Sequence, residues 1–551
     1  MADLAFLWHM HQPDYRHPDS GEFLLPWVLL HAIKDYTDMA AHLERHPNIR
    51  CTVNFVPVLL DQIEDYAEQF ANRQWRDPLL RIAASADTAH LTAADRTWLL
   101  DMAFRCHAPT MLEPFAPYRR LRDLLEFVRA HDGNGLNYLS GDYFADLVTW
   151  YLLAWCGESL RRTGTVIPAL MAKGSAFTAD DRQALLEELG RAVTGIVPRY
   201  RALAERGQVE LCCTPGTHPL APLLIDFNSA REAWPDCALP SAPEYPGGRS
   251  RVEAHLNVAR TCHAERFGTE PAGLWPAEGA LSLPFLKQIA EAGFAWTASS
   301  HGVLKHSAGN NARTTVAWQA PEGVPGDITL FFRNEHLSDL IGFEYAKWHG
   351  RDAAQHFMTE LKALHLQEER NLIPVFLDGE NAWEYYPYNG WYFFSDLYDA
   401  LARNPAIRTV TLSEAATSQR NRRQRLPRLT AGSWVYGTLS TWIGHPDKNR
   451  AWEMLCDVKQ CADRVLDNEQ LDPTLRADIL RRLAVCESSD WFWWLGDYNS
   501  PQSVACFDQL FRENLKALYR LLKLPIPANL DHPISTGGGT PESGGTMRRA
   551  N

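Results

Sequence analysis

Short apolar runs of strand length recur along the chain, and several stop at a polar cluster. They are Leu4–Trp8, Ile49–Phe55, Val209–Cys213, Pro271–Trp275, Phe294–Ser299, Ile328–Phe332 and Ile373–Leu377. Stretches with helical apolar spacing separate them, such as Phe285–Ala292, closed by Gly293, and Ala353–Leu364. Apolar strands alternating with amphipathic helices predict a parallel sheet covered on both faces. Seven of them, polar at their C-terminal ends, predict an α/β fold built on a closed or nearly closed β/α barrel. In such a barrel the functional residues gather at the C-terminal mouth. Thr409–Leu412 is a further strand candidate outside that count.

The pattern changes twice. Residues 56–207 are rich in Leu, Ala, Arg and Glu at helical spacing, typified by Ala184–Val193, and predict a helical insertion over the barrel. After about residue 415 the strand pattern ends. The chain then divides into a barrel over 1–415, a C-terminal all-α domain over 416–530 that contributes to the cleft, and a tail over 531–551. Pro473–Val485 and Phe507–Leu522 typify the helical domain. The tail is Gly, Ser, Thr and Pro rich and has little to bury, which predicts disorder.

Composition narrows the class. The 551 residues carry a net charge of −13, which argues against a nucleic-acid backbone as partner. The sequence has no run of eighteen apolar residues, so no membrane-spanning helix is expected. Eleven cysteines include no Cys-x-x-Cys pair, against structural zinc. Met1-Ala2-Asp3-Leu4 enters a strand-like run with no basic region. Together these predict reduced thiols in a cytoplasmic protein. The 19 Trp, 18 Tyr and 23 Phe exceed an ordinary core, and rings beside polar clusters suit sugar faces.

The chemistry concentrates at two strand ends. Val375-Phe376-Leu377 runs into Asp378-Gly379-Glu380-Asn381-Ala382-Trp383, and Gly273-Leu274-Trp275-Pro276-Ala277 runs into Glu278-Gly279. Two carboxylates on different strand ends, each near an indole, suit glycoside cleavage: one protonates the leaving oxygen while the other meets the sugar carbon. Asp378 and Glu380 share strand parity, so their proximity raises one pKa, as a general acid requires. Gly379 is read as letting the backbone turn sharply. Plainer readings are an N-cap role for Glu278 and a simple turn at Asp378.

Other clusters flank these. His9 and His11 share a face of the first strand and suit either a metal or sugar hydroxyls. Glu210 sits within an apolar run, buried with a partner or facing the lumen, and His218 lies in a Pro-bracketed loop. Arg333 ends the sixth strand, with Asp339 as its candidate partner. Trp442 and Trp452 form either a stacking wall for sugar or a core where helices meet the barrel. Asp490-Trp491-Phe492-Trp493-Trp494 is read as packing rather than binding.

Five separated segments resemble glycoside hydrolase family 57. They are His9-Met10-His11-Gln12-Pro13, Gly207-Gln208-Val209-Glu210, Trp275-Pro276-Ala277-Glu278, Phe376-Leu377-Asp378-Gly379-Glu380-Asn381 and the Trp442–Trp452 stretch. The wording around Asp378, and the Asp490–Trp494 block, look most like the α-amylase and amylopullulanase branch. The resemblance implies a (β/α)7 barrel followed by a helical domain, a retaining mechanism, Glu278 as nucleophile and Asp378 as general acid/base. It implies that His11, Glu210, His218 and Trp275 line the subsite around the scissile bond. With the clusters above, the substrate-binding candidates are His9, His11, Gln12, Glu210, His218, Trp275, Arg333, Asp339, Glu380, Trp383, Trp442 and Trp452. The family's chemistry needs no metal and no cofactor. Gly216-Thr217 stands where relatives often carry aromatics.

The expected activity is retaining hydrolysis of α-glucans, at α-1,4 and α-1,6 bonds. A 4-α-glucanotransferase or branching enzyme would use the same intermediate. A metal-dependent sugar hydrolase or deacetylase built on His9 and His11, and a silent glucan-binding protein, are the readings from other classes.

Overall fold

The computed structural model describes residues 2–131, 135–367 and 371–539. Among the described residues ten strands occur in chain order: β1 Ala2–Met10, β2 Cys51–Phe55, β3 Val209–Cys213, β4 Gly273–Leu274, β5 Trp296–Ser300, β6 Trp318–Gln319, β7 Thr329–Arg333, β8 Leu372–Asp378, β9 Ile407–Val410 and β10 Gln424–Arg425. Seven are parallel neighbours in the order β7-β5-β4-β3-β2-β1-β8. These are the seven runs read from the sequence, with ends shifted by up to two residues. The sheet curls until its edges approach. Asn334, just past β7, donates its N–H to the Pro374 carbonyl at 2.8 Å, and Arg333 Nε donates to the Phe376 carbonyl at 2.9 Å. No ladder joins β7 to β8 among the described residues. Pro374 has no N–H to give, and the Arg333 guanidinium takes an oxygen the ladder would use.

Thr409–Leu412 falls at β9, which pairs with Ala2–Ala5 at the barrel base. β6, antiparallel to β7, and β10, beside β6, were not predicted. At two residues each they are too short to show a period.

Strand parity sorts the side chains. Ala5, Leu7, Cys212, Trp275, Trp296, Phe331 and Phe376 share one buried cluster inside the barrel. Continuing two residues along each strand carries the same face to the mouth: Leu7 to His9, Phe331 to Arg333, Phe376 to Asp378. The alternate residues Leu4, Phe6 and Trp8 pack outward into the larger core shared with the helices.

Between β2 and β3 the described elements are helical, ending in the long helix α1, Ala179–Glu205. Thr178 and Asp181 cap it reciprocally, and Leu185, Leu189, Val193 and Ile196 bury one face. The C-terminal domain contains α2 Pro446–Leu466, α3 Pro473–Cys486, α4 Ser489–Trp494 and α5 Pro501–Leu521. One buried carboxylate pins it to the barrel layer. Glu487 accepts from Arg251 Nε at 2.8 Å and Tyr245 Oη at 2.6 Å, and contacts His255 Nε2 at 2.7 Å. Burial alone would raise this carboxyl, but Arg251 and His255 hold it at about 2. The clamp sits two residues before α4 and sets where that helix begins.

The disorder expected for 531–551 does not hold at its start. Ile534 N–H donates to Asp508 at 2.7 Å, and Gly539 N–H to the Asn499 carbonyl at 3.0 Å. Residues 540–551 lie outside the described residues. All eleven cysteines are free thiols. No described helix is long and apolar enough to cross a membrane.

Candidate active site

Glu278 leaves β4 through Trp275-Pro276. Proline ends the ladder, and Glu278 then takes a left-handed backbone, φ 58°, followed by Gly279 at φ 57°. A non-glycine residue held there is strained by about 1–3 kcal/mol, and such strain collects at functional sites. The turn is fixed by Gly279 N–H to Pro276 O at 2.8 Å and by Trp434 N–H to Glu278 O at 3.0 Å. The Trp434 indole N–H donates to Oε2 at 3.0 Å, and the Ser489 hydroxyl lies 3.2 Å from Oε1. Burial, then the charges of Asp490 and Asp378, push the Glu278 carboxyl up to about 8, against these two hydrogen bonds.

Asp378 ends β8 on the barrel's inner face. Asn381 Nδ2 donates to its Oδ2 at 3.0 Å. Burial raises its pKa, opposed by Asn381, His11 and Arg333. Arg333 is aimed by Asp339, which accepts from it at 2.8 Å. Glu380 turns back under β1: its Oε1 accepts from the His11 backbone N–H at 3.0 Å and from Gln12 Nε2 at 3.4 Å. Burial and the neighbouring Asp378 push Glu380 well above the carboxylate range. The chain bends at Gly379 directly after β8, without a left-handed backbone. A Cβ there would meet Met10 Sδ at 2.1 Å, so close approach of β1 and β8 requires the glycine.

One cleft of about 860 Å³ is lined by Glu278 and Asp378 together with His9, His11, Gln12, His218, Arg333 and Glu380. The imidazoles form a compact group. His11 stacks on His218 with centroids 3.7 Å apart, and His11 Nε2 meets Asp490 at 2.9 Å. His218, like Glu278, has a left-handed backbone, φ 65°. Its loop is tied to α4 by Ser489 N–H to His218 O at 2.9 Å. Burial and the other imidazoles lower His218 well below the usual range and bring His9 to about 3, so both rings are neutral.

The donor atoms of His11, His218 and Asp490 lie within 4.8 Å of one another, yet they do not suit a metal. Lone pairs of stacked imidazoles run side by side in their ring planes rather than converging on one ion. Both His218 nitrogens also have partners, His9 at 3.2 Å and Ser489 at 2.8 Å.

Six predicted contacts lie away from the cleft. Glu210 sits two strand positions below the mouth, where Trp296 Nε1 donates to it at 2.7 Å and Ser413 Oγ at 2.6 Å. It is partnered and faces the barrel interior, so the two alternatives read for it hold together. Trp275 is fully buried beneath the mouth, edge-on to Phe376 and Trp434. Trp383 packs on Trp8 and Phe394 and donates to the Gly379 carbonyl at 2.8 Å. Trp452 stacks on Phe492 at 4.0 Å and donates to the Trp442 carbonyl at 3.0 Å, and both indoles are fully buried. Each of these large rings lies where apolar burial outweighs exposure in a cleft. Asp339 reaches the site only through Arg333.

The Asp490–Trp494 block splits by helix face. Asp490, Trp493 and Trp494 line the cleft, while Trp491 and Phe492 are core. The packing reading therefore holds for two of its five residues. Ser489, Trp434 and Asn54 were missed. Trp434 lies in an irregular crossing, and only the flanking Gly432 and Gly437 mark it in the sequence. Beyond Gln12, Tyr15, Asn381 and Trp494 the cleft continues into a chamber of about 1820 Å³, which Trp27, Phe104 and Tyr385 also line.

A sequence profile described as Glycosyl hydrolase family 57 matches residues 5–429. Among solved structures the chain resembles a GH57-type branching enzyme from Pyrococcus horikoshii, with TM-score 0.55, 16% identity and coverage of 100% of this chain and 99% of that one. It resembles an α-amylase from Thermotoga maritima with TM-score 0.57, 13% identity and coverage of 95% and 93%. It resembles a 4-α-glucanotransferase from Thermococcus litoralis with TM-score 0.52, 14% identity and coverage of 94% and 60%. At these identities the likeness is one of fold.

Proposed function

Because the chain belongs to glycosyl hydrolase family 57 and is a glycoside hydrolase, we propose that it cleaves α-glucosidic bonds of α-glucans with retention, through a covalent glycosyl-enzyme. Glu278 attacks the anomeric carbon. Asp378 protonates the leaving oxygen, then takes a proton from the incoming acceptor. The observation that carries the reading is that Glu278, from the turn after β4, and Asp378, from the end of β8, line one cleft, and the Asp378 charge adds to the upward shift of Glu278. Burial raises both carboxyls, so ionisation does not separate the two roles, and the division between acid and nucleophile follows the family resemblance of their segments. Buried His11 Nδ1 and Glu380 Oε2 have no partner among the described residues, and both side chains line the cleft, as hydroxyl-binding groups would.

The printed names of the similar structures, a branching enzyme, an amylase and a 4-α-glucanotransferase, agree on α-glucans and differ on the acceptor. One observation favours a sugar acceptor as a second reading. The larger chamber adjoins Asn381, the partner of Asp378, so it lies on the side where leaving group and acceptor exchange. Incubation with maltoheptaose tests both readings. Shorter maltooligosaccharides alone mean hydrolysis, longer or branched products mean transfer, and an unchanged substrate across α-glucans rejects the proposal.

A further inference from the structure

The chamber beside the cleft has a charged wall that the proposed reaction does not use. Within the helical run 27–45, residues Ala32–Tyr36 form a π-turn, a widened turn that is rare and frequent at functional sites. His31 Nδ1 lies 2.6 Å from Asp35 Oδ2, and Lys34 Nζ donates to Asp35 Oδ1 at 2.5 Å. Lys34 and Asp35 are both buried and form an ion pair, since separate charges there would be costly. Lys34 also donates to Asn389 Oδ1 at 3.0 Å and lies 5.4 Å over the Trp155 ring. Asn389 donates in turn to Asp38 at 2.9 Å, and Asp38 accepts the Glu158 and Ser159 N–H groups at 2.7 and 2.9 Å. The cluster thus joins this helical run to the helical insertion and to the segment after β8.

Such an anchor does not require an imidazole on its chamber side. A carboxylate held by an ammonium only accepts, so His31 carries a proton on Nδ1 and turns its Nε2 edge away from Asp35. That nitrogen makes no hydrogen bond among the described residues, and His31 lines the chamber while Asp35 does not. A sugar hydroxyl satisfies Nε2 in either charge state, donating to the neutral ring or accepting from the imidazolium. Trp155 meets the imidazole edge-on at 5.6 Å, and Trp27 packs on Trp155 at 5.8 Å. Both indoles line the chamber. A fixed polar atom beside aromatic faces suits a sugar ring.

Shared residues place the chamber in the reaction. Gln12, Tyr15, Asn381 and Trp494 line both cleft and chamber, and Asn381 donates to Asp378. Asp378 is the proposed proton donor to the leaving oxygen, so the glucan beyond the broken bond extends toward the chamber. At about 1820 Å³ against about 860 Å³ the chamber is the roomier of the two. His31 lines the chamber and not the cleft, so it meets that chain past the unit next to the broken bond. We propose that His31 is a specificity-determining residue for the leaving-group side of an α-glucan chain. Its Nε2 takes a sugar hydroxyl beside Trp155, and Asp35 and Lys34 are positioning residues that aim it. This rests on the reading of Asp378 as the acid. Chains long enough to enter the chamber are then bound in preference to short ones.

The test compares maltoheptaose with 4-nitrophenyl α-maltoside, whose leaving group is a single ring that does not reach His31. His31→Phe keeps a ring and removes the nitrogens. It should raise KM for maltoheptaose about 3–10-fold, the worth of one hydrogen bond, with kcat within about twofold, because ground and transition states share the contact. Both constants on the nitrophenyl substrate should stay within about twofold. His31→Gln should bring KM back to within about twofold of wild type, since its amide can donate to Asp35 and offer an oxygen to the chamber. In Glu278→Gln protein, maltoheptaose should shift the His31 Nε2 ¹⁵N resonance, assigned by its loss when His31→Gln is added, and the nitrophenyl maltoside should leave it in place. An unchanged maltoheptaose KM in His31→Phe, an equal loss on both substrates, a His31→Gln enzyme as weak as His31→Phe, or a resonance unmoved by maltoheptaose would overturn the proposal. A wild-type enzyme that turns over neither substrate overturns the function proposed above instead.

Discussion

The cleft has two walls of different origin. The barrel wall presents His9, Arg333 and Asp378 from strand ends, each two residues past a side chain inside the barrel. The opposite wall presents Trp434 from an irregular crossing and Asp490, Trp493 and Trp494 from a helix of six residues, whose first residue, Ser489, is buried against Glu278. The first wall carries Asp378, the proposed acid, and the second surrounds Glu278, the proposed nucleophile. Trp434 donates to Glu278, Ser489 contacts it, and Asp490 raises its pKa. The barrel supplies both carboxyls proposed to react, while the added domain adjusts the ionisation of one of them on top of its burial.

Substitutions that separate these contributions run from large effects to small. Glu278→Gln should lower kcat by roughly 10⁴-fold or more, measured on maltoheptaose, with the fold intact by circular dichroism. Loss of less than tenfold would remove the nucleophile from the barrel's account. Asp378→Asn should cost about 10²–10⁴-fold, the range for a general acid, and should cost least on substrates whose leaving group needs no proton, such as aryl glycosides with acidic phenols. An equal loss on both substrates would break the assignment.

The helical wall should act through pH. Trp434→Phe removes a donor that favours the Glu278 carboxylate. It should lower kcat by about 10–100-fold and move the acid limb of kcat/KM upward. Asp490→Asn removes a like charge, so the Glu278 pKa should fall and the limb should move down. Opposite signs at two residues of one wall are the sharpest form of the comparison, and shifts in the same direction would contradict it. The smallest effect on chemistry belongs to Trp452→Ala. It should destabilise the protein by about 3–5 kcal/mol in denaturant titration, because the indole stacks on Phe492 in the core, while kcat of the folded enzyme changes little.

The barrel wall was legible because strands carry a period of two and end in recognisable chemistry. The runs before His9 and Asp378 showed their length, parity and terminus in a few adjacent residues. The tryptophans show the opposite. Trp383, Trp442 and Trp452 stand beside polar residues in sequence, yet each is fully buried. Nearness in sequence to a carboxylate does not say which side of the backbone a ring takes. Trp434 contacts Glu278 from 156 positions away and has no local pattern of its own. Glu210 resembled a mouth residue, but register places it toward the barrel base, opposite Thr52.

Local pattern alone settled which segments became barrel strands, which regions became helical, and which two strand ends carry the acidic pair, since each depends on periodicity over a handful of neighbours. The tertiary structure alone decided what surrounds those acids. The Glu487 clamp fixes where α4 starts, and α4 brings Ser489 to Glu278 across 211 residues. Charge state depends on burial and on partners supplied by distant elements, and those are properties of packing in space.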